Sequence, residues 1–379
     1  MFSEYDMHNV CIMSKVCKLT FDKYMYRLLE CLVQTFSFCL EAIVEKVTIK
    51  DIARVANVSY ATVSRALSGS SEIGEATRER ILKICNEMNY IPDSVARSMV
   101  KKHTNILGVV TASINNPFMS ELIEAIEITA REKGYNLMVC NSAYDLDLEK
   151  RQFSLLLGRR VDGIIVIPAG QESACNLSAF QTNIPVVYVS ENLTDTDQSF
   201  VAIDNAAGAK LGVEYLNSLG HKKILYLGRR EGSLTHTLRS EGVLNACNEL
   251  GMDVVFKDNE AQGKSSMDAG YRLAKEYFRD PCGCTAIFCA TDSLALGTMQ
   301  AADELGLKIP EYISLLGFDN ISFTGLPRIG ITTVEQPKTE MAQASFELVT
   351  RELEEGEARP SVSIAPRLVI RTSCRPLMA

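Results

Sequence analysis

The sequence predicts a protein in two parts: a small all-α helix-turn-helix domain, then a two-lobed α/β body made of two doubly wound parallel sheets. Three observations carry this expectation. Between Thr48 and Val100, short apolar stripes at helical spacing are separated by tight breaks. From Ile106 onward, apolar runs of strand length alternate with amphipathic helical stretches. The charge is also divided: residues 47–104 hold 9 Lys and Arg against 6 Asp and Glu, whereas residues 105–379 hold 25 against 35. A basic segment on an acidic body reads as a polyanion reader joined to a part that repels polyanions. The 379 residues leave room for several domains. With 46% hydrophobic and 23% charged residues, the chain is neither disordered nor collagenous and can bury a sizeable core.

Residues 1–46 differ in character from the rest of the chain. They hold Cys11, Cys17, Cys31 and Cys39 and no glycine or proline, with Leu28, Leu32, Cys39 and Ile43 on a rough helical stripe. Two readings stand: a helical extension, or an over-extended start with translation beginning near Val44 or Val47. The abrupt onset of organised sequence at Val47 favours the second. A signal peptide fits poorly, because acids interrupt the apolar run and no small-residue cleavage site succeeds it. The run Cys31 to Leu40 is closed by Glu30 and Glu41 and falls short of the roughly 18 apolar residues a membrane span needs.

Thr48 can cap a helix over Ile49 to Ala56, with Asp51 in its first turn. Asn57-Val58 breaks it, and Ser59 can cap a second helix, Tyr60 to Leu67. Ser68-Gly69-Ser70-Ser71 is a loop. A third helix runs from Glu75 to Met88, with Ile81, Leu82, Ile84 and Cys85 on its apolar side. Two helices joined by a short turn with a third packed behind form the helix-turn-helix pattern, which also occurs in proteins that bind no DNA. Pro92 restricts Ile91 and opens a short helix over Asp93 to Val100.

In the body, strands are expected at Ile106–Thr111, Tyr135–Cys140, Gly163–Pro168, Val186–Ser190, Lys223–Leu227, Ala286–Cys289 and Ser314–Phe318. Between them lie helical stretches such as Ser120–Glu132, Leu148–Leu157, Ala207–Leu219 and Ser293–Leu305. This alternation means right-handed βαβ units and parallel sheets. The run is long for one open sheet, so two lobes with a cleft between them fit better. Ligands in such sheets bind outside the carboxyl ends of the strands. None of the twelve cysteines forms a Cys-x2-Cys pair, and Cys140 and Cys289 read as small core hydrophobes in a reduced, cytoplasmic protein. The four histidines are scattered, so neither a metal nor a cofactor is expected.

The run from Val47 to Leu67, VTIKDIARVANVSYATVSRAL, resembles the signature of the lactose-repressor (LacI/GalR) family of bacterial transcription regulators. Further matches come in family order: Asn89-Tyr-Ile-Pro, Ala96-Arg-Ser, Asn116-Pro-Phe, Arg160-Val-Asp-Gly-Ile-Ile, Leu219-Gly-His, Asp292-Ser-Leu-Ala-Leu-Gly, Gly317-Phe-Asp and Ile331-Thr-Thr-Val-Glu-Gln-Pro. The resemblance covers about Val47 to Arg375 and leaves residues 1–46 outside. It implies a helix-turn-helix domain over 47–91, a hinge helix and linker over 92–105, and a periplasmic-binding-protein-like body over 106–375. Within that body, the N-lobe takes about 106–204 and 334–360, and the C-lobe about 205–333 and 361–375.

The resemblance also implies roles. Tyr60, Ala61 and Arg65 match the base-reading face, while Thr48, Ser59, Thr62, Ser64, Thr77 and Tyr90 match phosphate-contact positions. Met99 and Ala96 match the hinge that enters the minor groove, where Met is an accepted wedge. An isolated helix of that length is unstable in water, so it is expected to order only when paired and docked on DNA. Arg239, Asp319, Thr291, Asp292, Asp204, Phe118 and Met119 match effector-site positions, and Asn205 lies beside Asp204. Some positions depart from the family pattern. Asp93 stands where Asn is common, Glu72 and Gly74 replace polar or basic phosphate contacts, and Met119 replaces one of two stacking aromatics.

The expected function is a sequence-specific DNA-binding regulator that represses carbohydrate-utilisation genes, because the family usually answers to sugars. It would be a homodimer on a pseudo-palindromic double-stranded operator, with no membrane partner. Thr291 also occurs in relatives co-repressed by a phosphorylated carrier protein, which keeps a global catabolite regulator as an alternative effector reading. A solute-binding protein of transport would share the two-lobed body, but it needs a signal peptide and lacks a helix-turn-helix. An enzyme is not expected: the sequence holds no Gly-x-Ser-x-Gly elbow and no phosphate loop. Few residues come after Arg371, whereas tetrameric relatives add a C-terminal heptad helix, so a dimer is expected.

Overall fold

The computed structural model describes residues 47–90, 103–168, 170, 172–178, 180, 182–191, 198–228, 234–258, 266–356 and 360–377. The expected extension over 1–46 and the expected hinge helix, with Ala96 and Met99, lie outside these residues. The chain divides into two compact units at Arg97 and Ser98.

The first unit has three helices, α1 (Ile49–Ala56), α2 (Tyr60–Leu67) and α3 (Glu75–Glu87). Thr48 starts α1: its backbone N–H and its hydroxyl donate to the Asp51 carboxylate at 3.0 and 2.6 Å. Those two bonds hold the Asp51 carboxyl below the usual carboxylate range. Asn57, at φ 51°, ends the helix in the left-handed conformation that Asn tolerates. Ser59 then starts α2, its Oγ accepting the Thr62 N–H at 3.1 Å. Ile52, Val63 and Ile81, one from each helix, are fully buried, with Ala53, Ala56, Ala66 and Cys85 filling between them. Burying one such side chain contributes about 1.5–3 kcal/mol. A few residues therefore hold the unit, and the outer face of α2 is free to serve another purpose.

The second unit opens with β1 (Ile106–Thr111), α4 (Pro117–Glu132), β2 (Asn136–Asn141), α5 (Leu146–Gly158), β3 (Gly163–Ile167), α6 (Glu172–Ser178), β4 (Val186–Val189) and β5 (Ser199–Ile203). It continues with α7 (Asn205–Ser218), β6 (Lys223–Gly228), α8 (Leu234–Leu250), β7 (Asp253–Asp258), α9 (Ser266–Arg279), β8 (Ala286–Cys289), α10 (Asp292–Glu304) and β9 (Ser314–Asp319). A 3-10 turn over Ser322–Gly325, β10 (Thr332–Glu335), α11 (Lys338–Glu355), β11 (Val362–Ile364) and β12 (Arg367–Val369) complete it.

Two six-stranded sheets result. The first runs β11-β5-β4-β3-β1-β2, parallel throughout; the second runs β12-β10-β9-β8-β6-β7, parallel except that β12 lies antiparallel to β10. These are the two doubly wound parallel sheets expected, with one antiparallel edge strand on the second. In β3, Ile164 and Val166 join one apolar cluster while Ile165 and Ile167 join the other. That period of two, buried on both sides, is why the strand reads as an unbroken apolar run.

The lobe boundaries shift from those expected. Thr332–Glu335 pairs with β9 and belongs wholly to the second sheet, so the first boundary falls after Glu335 and not at 333/334. Val362–Ile364 pairs with Ser199–Ile203 in the first sheet, so the second falls after Ile364 and not at 360/361. The chain crosses between sheets three times: from β5 to α7, from β10 to α11, and from β11 to β12.

Candidate functional site

Each unit presents a candidate site. In the first, α2 buries Val63 and Ala66 and turns its other side outward. Tyr60 is 64% exposed, Ser64 and Arg65 are exposed, and Ala61 is half-buried. Arg65 reaches back to Glu72, Nε to Oε2 at 3.2 Å. Three of the expected phosphate-contact residues also build the helix ends. Thr48 caps α1 through Asp51, and the Ser59 and Thr62 hydroxyls lie 2.9 Å apart at the start of α2. Thr77 sits in the first turn of α3, its N–H bonded to the Gly74 carbonyl at 3.0 Å, and the Tyr90 N–H closes the end of α3 on the Cys85 carbonyl at 2.8 Å. Cap and contact roles are compatible, since a helix N-terminus presents N–H groups suited to an anion.

The second site lies at the carboxyl ends of β8 and β9. Arg239, on α8, is buried; its Nε donates to Asn205 Oδ1 at 2.8 Å and its Nη1 to the Ala290 carbonyl at 2.7 Å. The same Nη1 lies 3.4 Å from Asp319 Oδ1. The guanidinium stacks on the Phe318 ring, 3.8 Å from its centroid. Asp319 also accepts from Gln336 Nε2 at 2.7 Å. Burial raises the Asp319 carboxyl above its usual range, and the charge on Arg239 works against that rise. The motif Gly317-Phe318-Asp319 thus has a physical reading: Phe318 supports the guanidinium that Asp319 faces.

Asp292 lies beneath this cluster. It is buried, with Oδ1 accepting from the Thr333 hydroxyl at 2.6 Å and Oδ2 from the Ile321 N–H at 2.9 Å. Burial, and then the like charge of Asp319, pushes its carboxyl well above the usual range. A side chain at position 317 would strike Asp292, which is why glycine stands there. Asp292 is therefore a strut under the site. Thr291 caps α10, accepting the Leu294 N–H at 3.3 Å, and the exposed Asp204 caps α7, accepting the Ala207 N–H at 2.8 Å. Phe118 is buried beside the Asn116 cap of α4, and Lys338 Nζ lies 5.9 Å from its ring centroid. Met119 accepts from the Thr111 hydroxyl at 3.8 Å. Of the seven expected effector residues, Arg239 and Asp319 meet directly. Asp292 and the cap Thr291 support them, Phe118 and Met119 stand on the other lobe, and Asp204 starts α7.

Polar residues not expected from the sequence join the two lobes. Glu191, just after β4, accepts from the Thr235 N–H at 3.2 Å and the Thr235 hydroxyl at 3.0 Å, at the start of α8. Glu121 on α4 accepts the Ser322 N–H at 2.8 Å and faces Lys338 Nζ at 3.3 Å. Lys338 also donates to the Asp319 and Asn320 carbonyls. No periodicity marks such residues, because their partners lie far away in sequence. Among the described residues, no cluster of three or more His, Cys, Asp or Glu could hold a metal ion.

This architecture matches known proteins along nearly all of its described length. Residues 48–93 match the family described as bacterial regulatory proteins, lacI family. Residues 104–373 match periplasmic binding proteins and sugar binding domain of LacI family. The chain is 34% identical over 329 residues to the HTH-type transcriptional repressor PurR of Proteus mirabilis (strain HI4320), covering 86% of this chain and 96% of that one. It is 33% identical, over the same shares, to PurR of Yersinia pestis bv. Antiqua (strain Antiqua). The crystal structure of the Lac repressor dimer bound to operator and the anti-inducer ONPF aligns with a TM-score of 0.77 at 27% identity, covering 87% of this chain and all of that one. A three-helix unit with one face of α2 outward, joined to two crossed-over α/β lobes, is thus the plan of a DNA-binding repressor with an effector-binding domain and not of an enzyme, and the chain belongs to the LacI family of bacterial regulatory proteins.

Proposed function

We propose that the chain represses transcription as a homodimer on a pseudo-palindromic operator, and that a small polar molecule held between the lobes controls its DNA affinity. The observation that carries this is the buried Arg239–Asp319 cluster at the strand ends of the second lobe, on a chain that also bears a helix-turn-helix. In this reading Tyr60, Ala61 and Arg65 contact bases. Arg65 can donate two hydrogen bonds to guanine O6 and N7. Thr48, Ser59, Thr62, Ser64, Thr77 and Tyr90 hold phosphates, fixing register without reading sequence. Half-sites lie about one helical turn apart. The hinge role of Ala96 and Met99 rests on the sequence resemblance alone.

In the cleft, Arg239 and Asp319 contact the effector while Phe118 and Met119 line the facing lobe. Thr291, Asp292 and Asp204 shape the elements that carry them. A sugar is the finer reading, since a guanidinium and a carboxylate suit hydroxyls that both donate and accept. A planar nitrogen heterocycle is the second, favoured by the flat Arg239–Phe318 stack, against which a planar ring can lie. Thermal shift of the purified chain against pentoses, hexoses and nucleobases separates the two. Stabilisation by one class that Arg239→Met abolishes supports the cleft. Stabilisation that survives Arg239→Met and Asp319→Asn would place the ligand elsewhere. Selection of bound fragments from a genomic duplex pool tests the DNA half, and recovery of no shared sequence would refute it.

A further inference from the structure

A thiol pair stands apart from both of these sites. Cys282, Gly283 and Cys284 lie between α9 and β8, at the end of β8 remote from the Arg239 cluster. The Sγ atoms of Cys282 and Cys284 are 3.5 Å apart. Cys282 is exposed and Cys284 is buried. Gly283 between them adopts φ 77°, a left-handed turn open to glycine without strain. Cys284 is held firmly: its carbonyl accepts the Tyr277 hydroxyl at 3.1 Å, and the next N–H, of Thr285, bonds the Lys223 carbonyl at 3.0 Å. One sulfur is thus fixed to the sheet while the other sits on an accessible turn within its reach.

We propose that Cys282 and Cys284 form a redox-active dithiol that a low-molecular-weight disulfide oxidises to an intramolecular disulfide. The thiolate of Cys282 attacks one sulfur of the small disulfide. A Cys282–sulfur bond forms, the original sulfur–sulfur bond breaks, and the first small thiolate leaves with the electron pair. The Cys284 sulfur attacks Cys282 Sγ as its proton passes to the first small thiolate, and the raised pKa of the buried thiol makes this closure the slow step. The protein disulfide forms and the second small thiol departs. Two protein thiols are oxidised and one small disulfide is reduced to two thiols. A disulfide bond is about 2.05 Å long, so the sulfurs must close by roughly 1.5 Å, and the exposed Cys282 on its glycine turn is the partner free to move. Exposure makes Cys282 the entry point, since exchange requires an accessible thiolate. Burial pushes the Cys284 thiol up to about 12, and a thiol of high pKa is a poor leaving group.

The test uses the full chain, reduced, freed of reductant and incubated with glutathione disulfide before alkylation and tryptic digestion. Residues 280–308 contain no internal Lys or Arg and carry Cys282, Cys284 and Cys289 together. The expected product is this peptide lighter by two hydrogens, alkylated only at Cys289, with no backbone fragment between Cys282 and Cys284. A wild-type peptide that retains glutathione on Cys282 with Cys284 alkylated, or that is alkylated at all three cysteines, overturns the proposal. In Cys284→Ser, exchange is expected to halt with one glutathione on Cys282; an unmodified Cys282 there overturns the order of attack. If that variant does not fold, the wild-type peptide still decides.

Discussion

Two arginine–carboxylate pairs show how the two units differ. Arg65 and Glu72 meet at 3.2 Å with side chains 57% and 68% exposed, while Arg239 and Asp319 meet at 3.4 Å with 3% and 6% exposed. The separations are alike, and the surroundings reverse what each pair does. Water screens the first, so the pair is worth little and can be exchanged for another partner. The second has left water behind, and its groups depend on one another and on Asn205, Phe318 and Gln336. Breaking such a pair leaves an uncompensated buried charge. In the proposed function this difference fits the two roles: a recognition face has to give up its internal contacts when it docks, whereas a switch has to keep a costly arrangement intact until a ligand substitutes for part of it.

The sharpest way to break this contrast is to truncate both arginines. Arg239→Ala strands the Asp319 carboxylate and is expected to cost about 3–5 kcal/mol of body stability, read from denaturant unfolding. A loss below about 1 kcal/mol, the range of an ordinary substitution, would mean that the cluster does not support the lobe. Arg65→Ala is expected to leave unfolding unchanged to within about 0.5 kcal/mol. Its cost, about 1–3 kcal/mol, is expected in operator binding, and confined to one base position of each half-site. If it weakened binding equally on all sequences, Arg65 would be a phosphate contact instead.

The same contrast explains which parts of the chain are legible in its sequence. Helices α1 and α2 fall where local signals put them, because Thr48, Asn57 and Ser59 act on neighbours a few residues away. Strands such as Ile106–Thr111 and Ala286–Cys289 are also plain, being apolar on both faces. Strand Thr332–Glu335 carries no such signal, since two of its four residues are threonines whose burial depends on Asp292 and on residues beyond 370. The three-residue strands β11 and β12 are too short to show a period, and pairing alone assigns them to different sheets. Arg239 and Asp319 can be named from the family resemblance, Asp319 within the Gly317-Phe-Asp motif. Glu191 and Thr235 cannot, because the contact that joins them spans 44 residues and two lobes.

Beneath the buried pair, Asp292 offers a probe of the same effect through pH. Its pKa is raised in the folded chain, chiefly by burial and further by Asp319. The folded state therefore holds this proton more tightly than the unfolded chain does. Stability contributed through the group is fully present below the ordinary carboxylate pKa of about 3.9 and is lost as pH rises toward the elevated folded value. Asp292→Asn removes that titration. Comparing denaturant midpoints at about pH 4 and about pH 7, the difference between variant and wild type is expected to move in the variant's favour at the higher pH. Parallel curves would show that folding leaves the Asp292 carboxyl unshifted.

The smallest effect is expected at the exposed pair, and it runs opposite to the usual direction of mutation. Glu72 meets Arg65 at 3.2 Å and places a negative charge near the face proposed to meet phosphates. If Arg65 reads a base as proposed, this contact must open first. Glu72→Gln removes the charge and keeps the shape, so the operator complex loses a competitor while the three-helix core of Ile52, Val63 and Ile81 is untouched. An exposed pair contributes about 0.2–1 kcal/mol, which converts to roughly a 1.4- to 5-fold gain in operator affinity. Because the effect is electrostatic and solvent-screened, the gain is expected to shrink as salt rises. In the Arg65→Ala background the part due to the pair disappears, and only the general charge effect remains. A double-mutant cycle on operator binding reads that difference directly. Equal gains from Glu72→Gln with and without Arg65 would mean that the carboxylate acts on the phosphates alone and that the 3.2 Å contact does not restrain the reading side chain.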